Sequence, residues 1–88
     1  MKRILILAYG YYGRGETLSE AYRNIKAAGA RETESAILYV GSEELQCAFP
    51  YITGRIALCL TVRKLSALKG AEIDLRHPIF SAAETEAK

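Results

Sequence analysis

The chain has 88 residues, of which half are hydrophobic and a quarter charged, a composition that predicts one globular domain and excludes a disordered chain. Twelve basic and ten acidic residues give a formal charge of +2, which is too balanced to indicate a dedicated nucleic-acid-binding protein. The apolar run at residues 4–8 is too short for a signal peptide or a membrane span. Two cysteines without a framework of spacings indicate reduced thiols. We therefore expect a cytoplasmic protein that does not enter a membrane, with a compact domain over residues 1–80 and a flexible tail over 81–88.

The first predicted element is a strand over residues 3–9 (RILILAY), which is apolar on both faces, as a central strand would be. Residues 10–15 (GYYGRG) then form a loop before a helix, a position where phosphate-binding loops occur. Their G-x-x-G-x-G spacing is neither the dinucleotide-binding G-x-G-x-x-G motif nor a P-loop. We favour a tight connection whose glycines permit positive φ over a nucleotide site. We accordingly predict no cofactor.

The helix that follows carries start and stop signals in its own sequence. Thr17 and Glu20 form the T-x-x-E capping box, in which two backbone donors are satisfied reciprocally. Apolar residues recur at helical spacing after it, and Gly29 stands where a left-handed C-cap belongs. The sequence therefore predicts a helix over residues 18–28.

The second half of the chain is predicted to be mostly strand. Residues 36–40 (AILYV) form an apolar strand, and residues 45–49 are a candidate short edge strand. Apolar residues alternate from Ile56, which favours a half-buried strand, although helix formers near its end leave a helix open for residues 54–69. Residues 71–76 (AEIDLR) alternate again and predict a last strand.

These elements predict an α+β fold in the order β-α-β-β-β, with one helix packed on a mostly antiparallel sheet. The side chains expected to be buried between helix and sheet are Leu5, Leu7, Leu18, Ile25, Leu38, Leu58, Leu60 and Ile73. No second helix is predicted for the other face of the sheet. That face would be solvated, pair with a second copy in a homodimer, or dock on a partner.

Tyrosines near the glycine-rich segment are the most unusual feature of the sequence. Tyr9, Tyr11 and Tyr12 lie beside Arg14, a combination of flat amphipathic rings and a guanidinium that is typical of binding hot spots. The alternative is that these rings pack inward and leave only their hydroxyls exposed. The predicted partner-binding residues are Tyr11, Tyr12, Arg14, Arg55, Arg63 and Lys64.

A second aromatic segment, Phe49-Pro50-Tyr51, favours some cis isomer at its proline. It could present a hydrophobic knob, but we favour a simple turn of the chain.

Catalytic equipment is scarce in this sequence. The single histidine, His77, precedes a proline, and Cys47 and Cys59 are not spaced to complete a zinc site with it. Cys59 alternates with leucines in a predicted strand, as a small packed residue would. We predict no catalytic residue, no metal site and no enzyme activity.

Residues 8–28 (AYGYYGRGETLSEAYRNIKAA) resemble a pattern in small proteins of phages and other mobile elements, where a strand ends in a Gly-Tyr-aromatic-Gly-x-Gly loop followed by Thr-Leu-x-Glu-Ala and a helix. The helix start also resembles that of antitoxins from RNA-targeting toxin–antitoxin pairs. The first resemblance implies an anti-CRISPR-like inhibitor, and it assigns no role to individual residues because that group shares no motif.

The sequence thus leads to a non-enzymatic inhibitor that docks on a host protein or ribonucleoprotein. The alternative is a nucleic-acid-binding antitoxin or small regulator, which would use the tyrosines for stacking and the basic residues for phosphates.

Overall fold

The computed structural model describes residues 2–69. The predicted strand 71–76, its core residue Ile73, His77 and the tail 81–88 lie outside the described residues. The elements follow the order β-β-α-β-β-β-β and end in a 3₁₀ helix. In chain order they are β1 (Ile4–Ala8), β2 (Tyr11–Gly15), α1 (Leu18–Ala28), β3 (Ala36–Gly41), β4 (Gln46–Ala48), β5 (Tyr51–Thr53), β6 (Ile56–Val62) and the 3₁₀ helix η1 (Leu65–Leu68).

Among the described residues, the main sheet has four antiparallel strands in the order β2-β1-β3-β6, and β4 and β5 form a separate hairpin. One helix packs on this sheet, which confirms the predicted α+β class. The short strand expected at residues 45–49 is β4. The strand favoured from Ile56 is β6, and the helix formers after it form η1. The strands β2 and β5 are additions to the predicted order.

The glycine-rich segment is a strand rather than the predicted loop. It pairs with β1 along its whole length, from Ala8 opposite Tyr11 to Ile4 opposite Gly15. A Cβ at Gly13 would lie 2.4 Å from the backbone nitrogen of Ile25, and one at Gly15 would lie 2.7 Å from that of Ala21. These two glycines therefore allow the helix backbone to touch the strand backbone. The helix fills the space above them that a phosphate-binding loop would leave for its ligand.

The helix spans residues 18–28 as predicted, and its caps explain why. The Oγ1 atom of Thr17 accepts a hydrogen bond from the Glu20 N–H at 3.1 Å, and the Glu20 carboxylate accepts one from the Glu16 N–H at 3.3 Å. Gly29 ends the helix in the left-handed region, with φ at 118°. Within residues 2–69, no helix is long and apolar enough to cross a membrane.

The face of the sheet that packs on α1, called the helix face, carries the main core. Burial is confirmed for the predicted core residues Leu18, Ile25 and Leu38, whereas Leu58 and Leu60 pack against this core and are only partly buried. The prediction for β1 is wrong by one position, because Ile4, Ile6 and Ala8 contact this core instead of Leu5 and Leu7. A strand that is apolar on both faces gives no signal of which set of side chains meets the helix.

The opposite face, called the open face, is partly covered by the chain after β3. Leu45 is fully buried there, together with Leu5. The Leu45 N–H donates to the Lys2 carbonyl at 2.9 Å, and Nη1 of Arg14 donates to the Leu45 carbonyl at 2.8 Å. Leu45 and these two hydrogen bonds thus fasten to the sheet the segment that leads into the β4–β5 hairpin. Leu7 and Ile37 remain half-buried on this face.

Glu32 fastens the C-terminal end of α1 to the loop after it and to η1. Its Oε1 accepts a hydrogen bond from the Tyr22 hydroxyl at 3.2 Å and lies 3.8 Å from Nζ of Lys26 and 3.9 Å from Nζ of Lys69. The N–H of Leu65 also donates to the Glu34 carbonyl in that loop, at 2.7 Å. These contacts lie at the end of the sheet that carries the β1–β2 turn.

Candidate binding surface

The turn between β1 and β2 projects a tyrosine into solvent. Tyr9 and Gly10 form a two-residue loop with φ values of 44° and 85°, which is the type I′ arrangement that matches the twist of paired strands. A bulky residue in the left-handed region costs about 1–2 kcal/mol. Strand pairing on both sides holds this conformation, and the Tyr9 side chain is 82% exposed.

Tyr11 and Tyr12 follow on opposite faces of β2. The Tyr11 ring lies beside the end of the helix, where its Cε1 would be 3.2 Å from a Cβ at Gly29. Tyr12 lies opposite Leu7 on the open face. They are 42% and 39% exposed. We call Tyr9, Tyr11 and Tyr12 the tyrosine hairpin; Tyr9 and Tyr11 line one concave surface together, whereas Tyr12 lies on the open face.

Two concave surfaces flank this hairpin. The first, called the tip cleft, is about 320 Å³ and lined by Tyr9, Tyr11, Gly29, Arg31 and Glu34. The second, called the edge groove, is about 390 Å³ and runs between the outer edge of β2 and the exposed side of α1. Its lining residues are Lys2, residues 10–14, Asn24 and Ala28. Tyr11 lines both surfaces.

The predicted contact Arg14 has a role within the fold. Its guanidinium donates to the Leu45 carbonyl, and its own carbonyl accepts a hydrogen bond from Nδ2 of Asn24 at 2.6 Å. Arg14 is half-buried. Because its side chain bonds to Leu45, directly before β4, it positions the β4–β5 hairpin. Its role as a partner contact stays a prediction.

The other predicted cations lie at opposite ends of the sheet. Arg63 and Lys64 follow the last residue of β6, which pairs with the first residue of β3, at the same end as the β1–β2 turn. Arg55 precedes β6 at the far end. All three are exposed. The structure therefore brings Arg63 and Lys64 to the end of the sheet that carries the tyrosine hairpin, and it separates Arg55 from them.

A second exposed aromatic pair lies at the tip of the β4–β5 hairpin. Phe49 and Tyr51 flank Pro50, whose preceding peptide bond is cis. The segment turns the chain, as favoured from the sequence, and it also exposes both rings, with Tyr51 at 73%.

The two cysteines lie near Tyr39 on the open face, where Cys59 is its neighbour on the adjacent strand. Burial raises the pKa of the Cys47 thiol, and the nearby Arg14 partly opposes this shift. Burial, then Cys59 and Cys47, raise the pKa of Tyr39. Burial therefore favours the neutral thiol of Cys47 over its thiolate. Among residues 2–69, no three His, Cys, Asp or Glu side chains converge as metal ligands.

Sequence reasoning grouped Tyr9 with the other tyrosines but omitted it from the predicted contacts. The signal was weak, because a two-residue hairpin turn favours Asn-Gly or Asp-Gly and here a tyrosine precedes the glycine. No local sequence pattern marked Asn24 as part of this surface. Its contact with Arg14 depends on how the helix crosses β2.

Comparison with protein-family models, curated proteins and solved structures finds no match to this chain.

Proposed function

We propose that this chain is a non-enzymatic binding protein, which docks on a host protein or ribonucleoprotein in the cytoplasm and blocks its function. The observation that carries the proposal is the tyrosine hairpin, whose three rings are exposed around one rigid turn. The host partner and an origin in a mobile element rest on the resemblance of residues 8–28 to small phage proteins.

The exposed rings favour binding because of what they gain on contact. A tyrosine offers a large amphipathic surface and loses little conformational entropy when it is immobilised. Tyr9 is held on a turn of fixed geometry, so the backbone also needs little ordering. Tyr9 and Tyr11 line one cleft together with the charged residues Arg31 and Glu34, and an exposed apolar surface beside polar residues is typical of an interaction site.

The chemistry of Cys47 favours binding over covalent catalysis at that residue. The thiolate is the reactive form of cysteine, and burial raises the pKa of this thiol. Arg14, the cation that partly opposes the shift, donates its hydrogen bond to the Leu45 carbonyl.

The proposal is tested by recovery of partners from a host lysate on immobilised protein. We expect the wild type and Tyr51→Ala to recover the same partners, whereas Tyr9→Ala combined with Tyr12→Ala loses them. Two hot-spot truncations together weaken binding by about 30-fold or more. Tyr51→Ala is a matched control because it removes an exposed tyrosine from the other hairpin. Equal recovery by all three proteins, each with an unchanged melting temperature, would contradict the proposal.

Direct nucleic-acid binding is a second candidate, favoured by one observation. Arg63 and Lys64 lie at the same end of the sheet as Tyr9 and Arg31, within two to three strand spacings, about 10–15 Å. Bases could stack on the ring while phosphates contact the cations. This candidate predicts that a single-stranded oligonucleotide binds with an affinity that falls steeply with salt. The absence of any shift at low salt would exclude it.

A further inference from the structure

Among residues 2–69, no strand pairs with the backbone groups that the outer edge of β2 presents at Tyr12. In an antiparallel pair, alternate residues bond to the neighbouring strand and the others face away. The Arg14 carbonyl accepts a hydrogen bond from the Asn24 side chain on the helix, which shows that it faces away from β1. Tyr12 is two residues earlier, so its N–H and C=O also face outward.

Asn24 limits how much of the edge is open. Its side-chain amide occupies the carbonyl at Arg14 and so blocks a ladder from continuing beyond that residue. The accessible stretch runs from Gly10 to Gly13, along the floor of the edge groove. A segment added here would therefore be short, with its centre opposite Tyr12.

The helix excludes a second copy of this chain from the same edge. α1 packs mainly on β2, with its backbone against Gly13 and Gly15. Two β2 edges paired about a two-fold axis would lie about 5 Å apart. The two helices would then need to approach far closer than the 8–10 Å that packed helices require. A single extended peptide has no such helix.

The chemistry of the groove favours an acidic peptide. Among the described residues that line it, the charged ones are Lys2 and Arg14, both basic; Glu16, which is not among the lining residues, interacts electrostatically with Lys2. The backbone of Tyr12 offers one donor and one acceptor, as another peptide backbone does. A phosphate offers mainly acceptor oxygens, so it matches the Tyr12 N–H better than the Tyr12 carbonyl.

We infer that the edge groove binds an extended acidic segment of the partner protein as an added strand beside β2, in the manner of β-strand addition. The inference rests on the proposed docking function and specifies how that function recognises its partner. Main-chain hydrogen bonds to Tyr12 hold the segment, and its acidic side chains meet Lys2 and Arg14.

The test begins with peptides selected from a random phage-displayed library on the full-length protein. We expect the selected peptides to be acidic. On addition of such a peptide, exchange of the Tyr12 amide with solvent should slow by about tenfold or more, because that amide becomes hydrogen-bonded. A Tyr12 amide that is already protected in the free protein would overturn the inference, since the edge would then be covered.

Three substitutions locate the peptide. Ala28→Trp fills the groove from the exposed side of the helix and should weaken binding about tenfold or more; Ala27→Trp adds the same ring outside the groove and should leave binding unchanged. Lys2→Glu should weaken it about threefold to fivefold. Asn24→Ala frees the Arg14 carbonyl and should strengthen binding about fivefold, as one further hydrogen bond would.

The outcomes separate this inference from the proposed function. Selected peptides without acidic bias, peptides insensitive to Ala28→Trp, or no selected peptide at all would overturn strand addition. If host partners are still lost with Tyr9→Ala and Tyr12→Ala in those cases, docking by the tyrosine hairpin stands. If strand addition is overturned and Tyr9→Ala with Tyr12→Ala also leaves the recovery of host partners unchanged, the proposed function is contradicted as well.

Discussion

On the helix face of the sheet, α1 lies directly on the glycine backbone of β2, whereas on the open face a short hairpin covers the sheet through Leu45. At Gly13 the first contact joins two backbones, so no side chain there can adjust. The second is made by one side chain and a few hydrogen bonds, and it leaves Leu7 half-buried. The two faces therefore differ in tolerance: the helix face fixes the fold, and the open face can vary.

The largest effect is expected where the two backbones meet. Gly13→Val should destabilise the protein by about 3 kcal/mol, near the upper end for overpacking, because a Cβ would overlap both Ile25 and Ala21 of the helix. Chemical denaturation measures the change. Gly10→Asn is the control, since nothing lies within 4 Å of its Cβ position and asparagine tolerates its φ of 85°. A smaller loss for Gly13→Val than for Gly10→Asn would show that the helix does not rest on this strand.

On the open face, Leu45→Ala should cost about 2–3 kcal/mol, at the lower end for a buried leucine. Leu45 is fully buried, but the short hairpin above it can settle into the space that the substitution leaves. Hydrogen exchange should rise in β4 and β5 and stay unchanged in α1. Ile56→Ala, at a residue that is 39% exposed, serves as the control and should cost less. Equal exchange increases in α1 and the hairpin would contradict the difference between the faces.

Local signals explain which parts of the fold are predictable from the sequence. Helix α1 is predicted to the residue because Thr17, Glu20 and Gly29 act within a few positions of its ends. Strand β2 is missed because its glycines are explained only by a helix that the chain forms afterwards. The same glycines on an isolated segment are typical of a loop.

The candidate site is predictable only in composition. The tyrosines stand out in the sequence, but the opposite directions of Tyr11 and Tyr12 follow from the strand that was missed. The bond between Arg14 and Leu45 joins residues 31 positions apart, and no local pattern encodes it. The edge groove depends on the same long-range packing.

A smaller effect is expected for Arg14→Met, which keeps most of the apolar stem but removes the donor to the Leu45 carbonyl. The loss should be about 1 kcal/mol, because water can replace part of the bond. Arg55→Met is the matched control, since Arg55 is exposed and its side chain makes no hydrogen bond or ion pair within residues 2–69; it should change stability by less than about 0.5 kcal/mol. Equal urea midpoints for the two variants would mean that Arg14 does not fasten the hairpin.

The smallest effect expected is the pH dependence of stability, to which a tyrosine on each side of the sheet contributes. Burial, and then the Glu32 carboxylate, raise the pKa of Tyr22 on the helix side; burial and the two cysteines raise that of Tyr39 on the open face. A raised pKa means that the fold favours the neutral phenol, so this stabilisation is complete below the ordinary value of about 10 and is lost as pH rises through the folded value.

The urea midpoint should therefore fall when pH rises from about 8, where tyrosine is neutral, to about 10.5, where an ordinary tyrosine is largely ionised. Tyr22→Phe and Tyr39→Phe should each flatten part of that fall, whereas Tyr51→Phe, at an exposed ring, should not. The two faces are then distinguished by hydrogen exchange at the higher pH. Ionised Tyr22 faces a carboxylate and loosens the contact between α1 and the following loop, whereas ionised Tyr39 loosens the β4–β5 hairpin above it. A fall that all three variants retain would show that neither of the two half-buried phenols couples pH to folding.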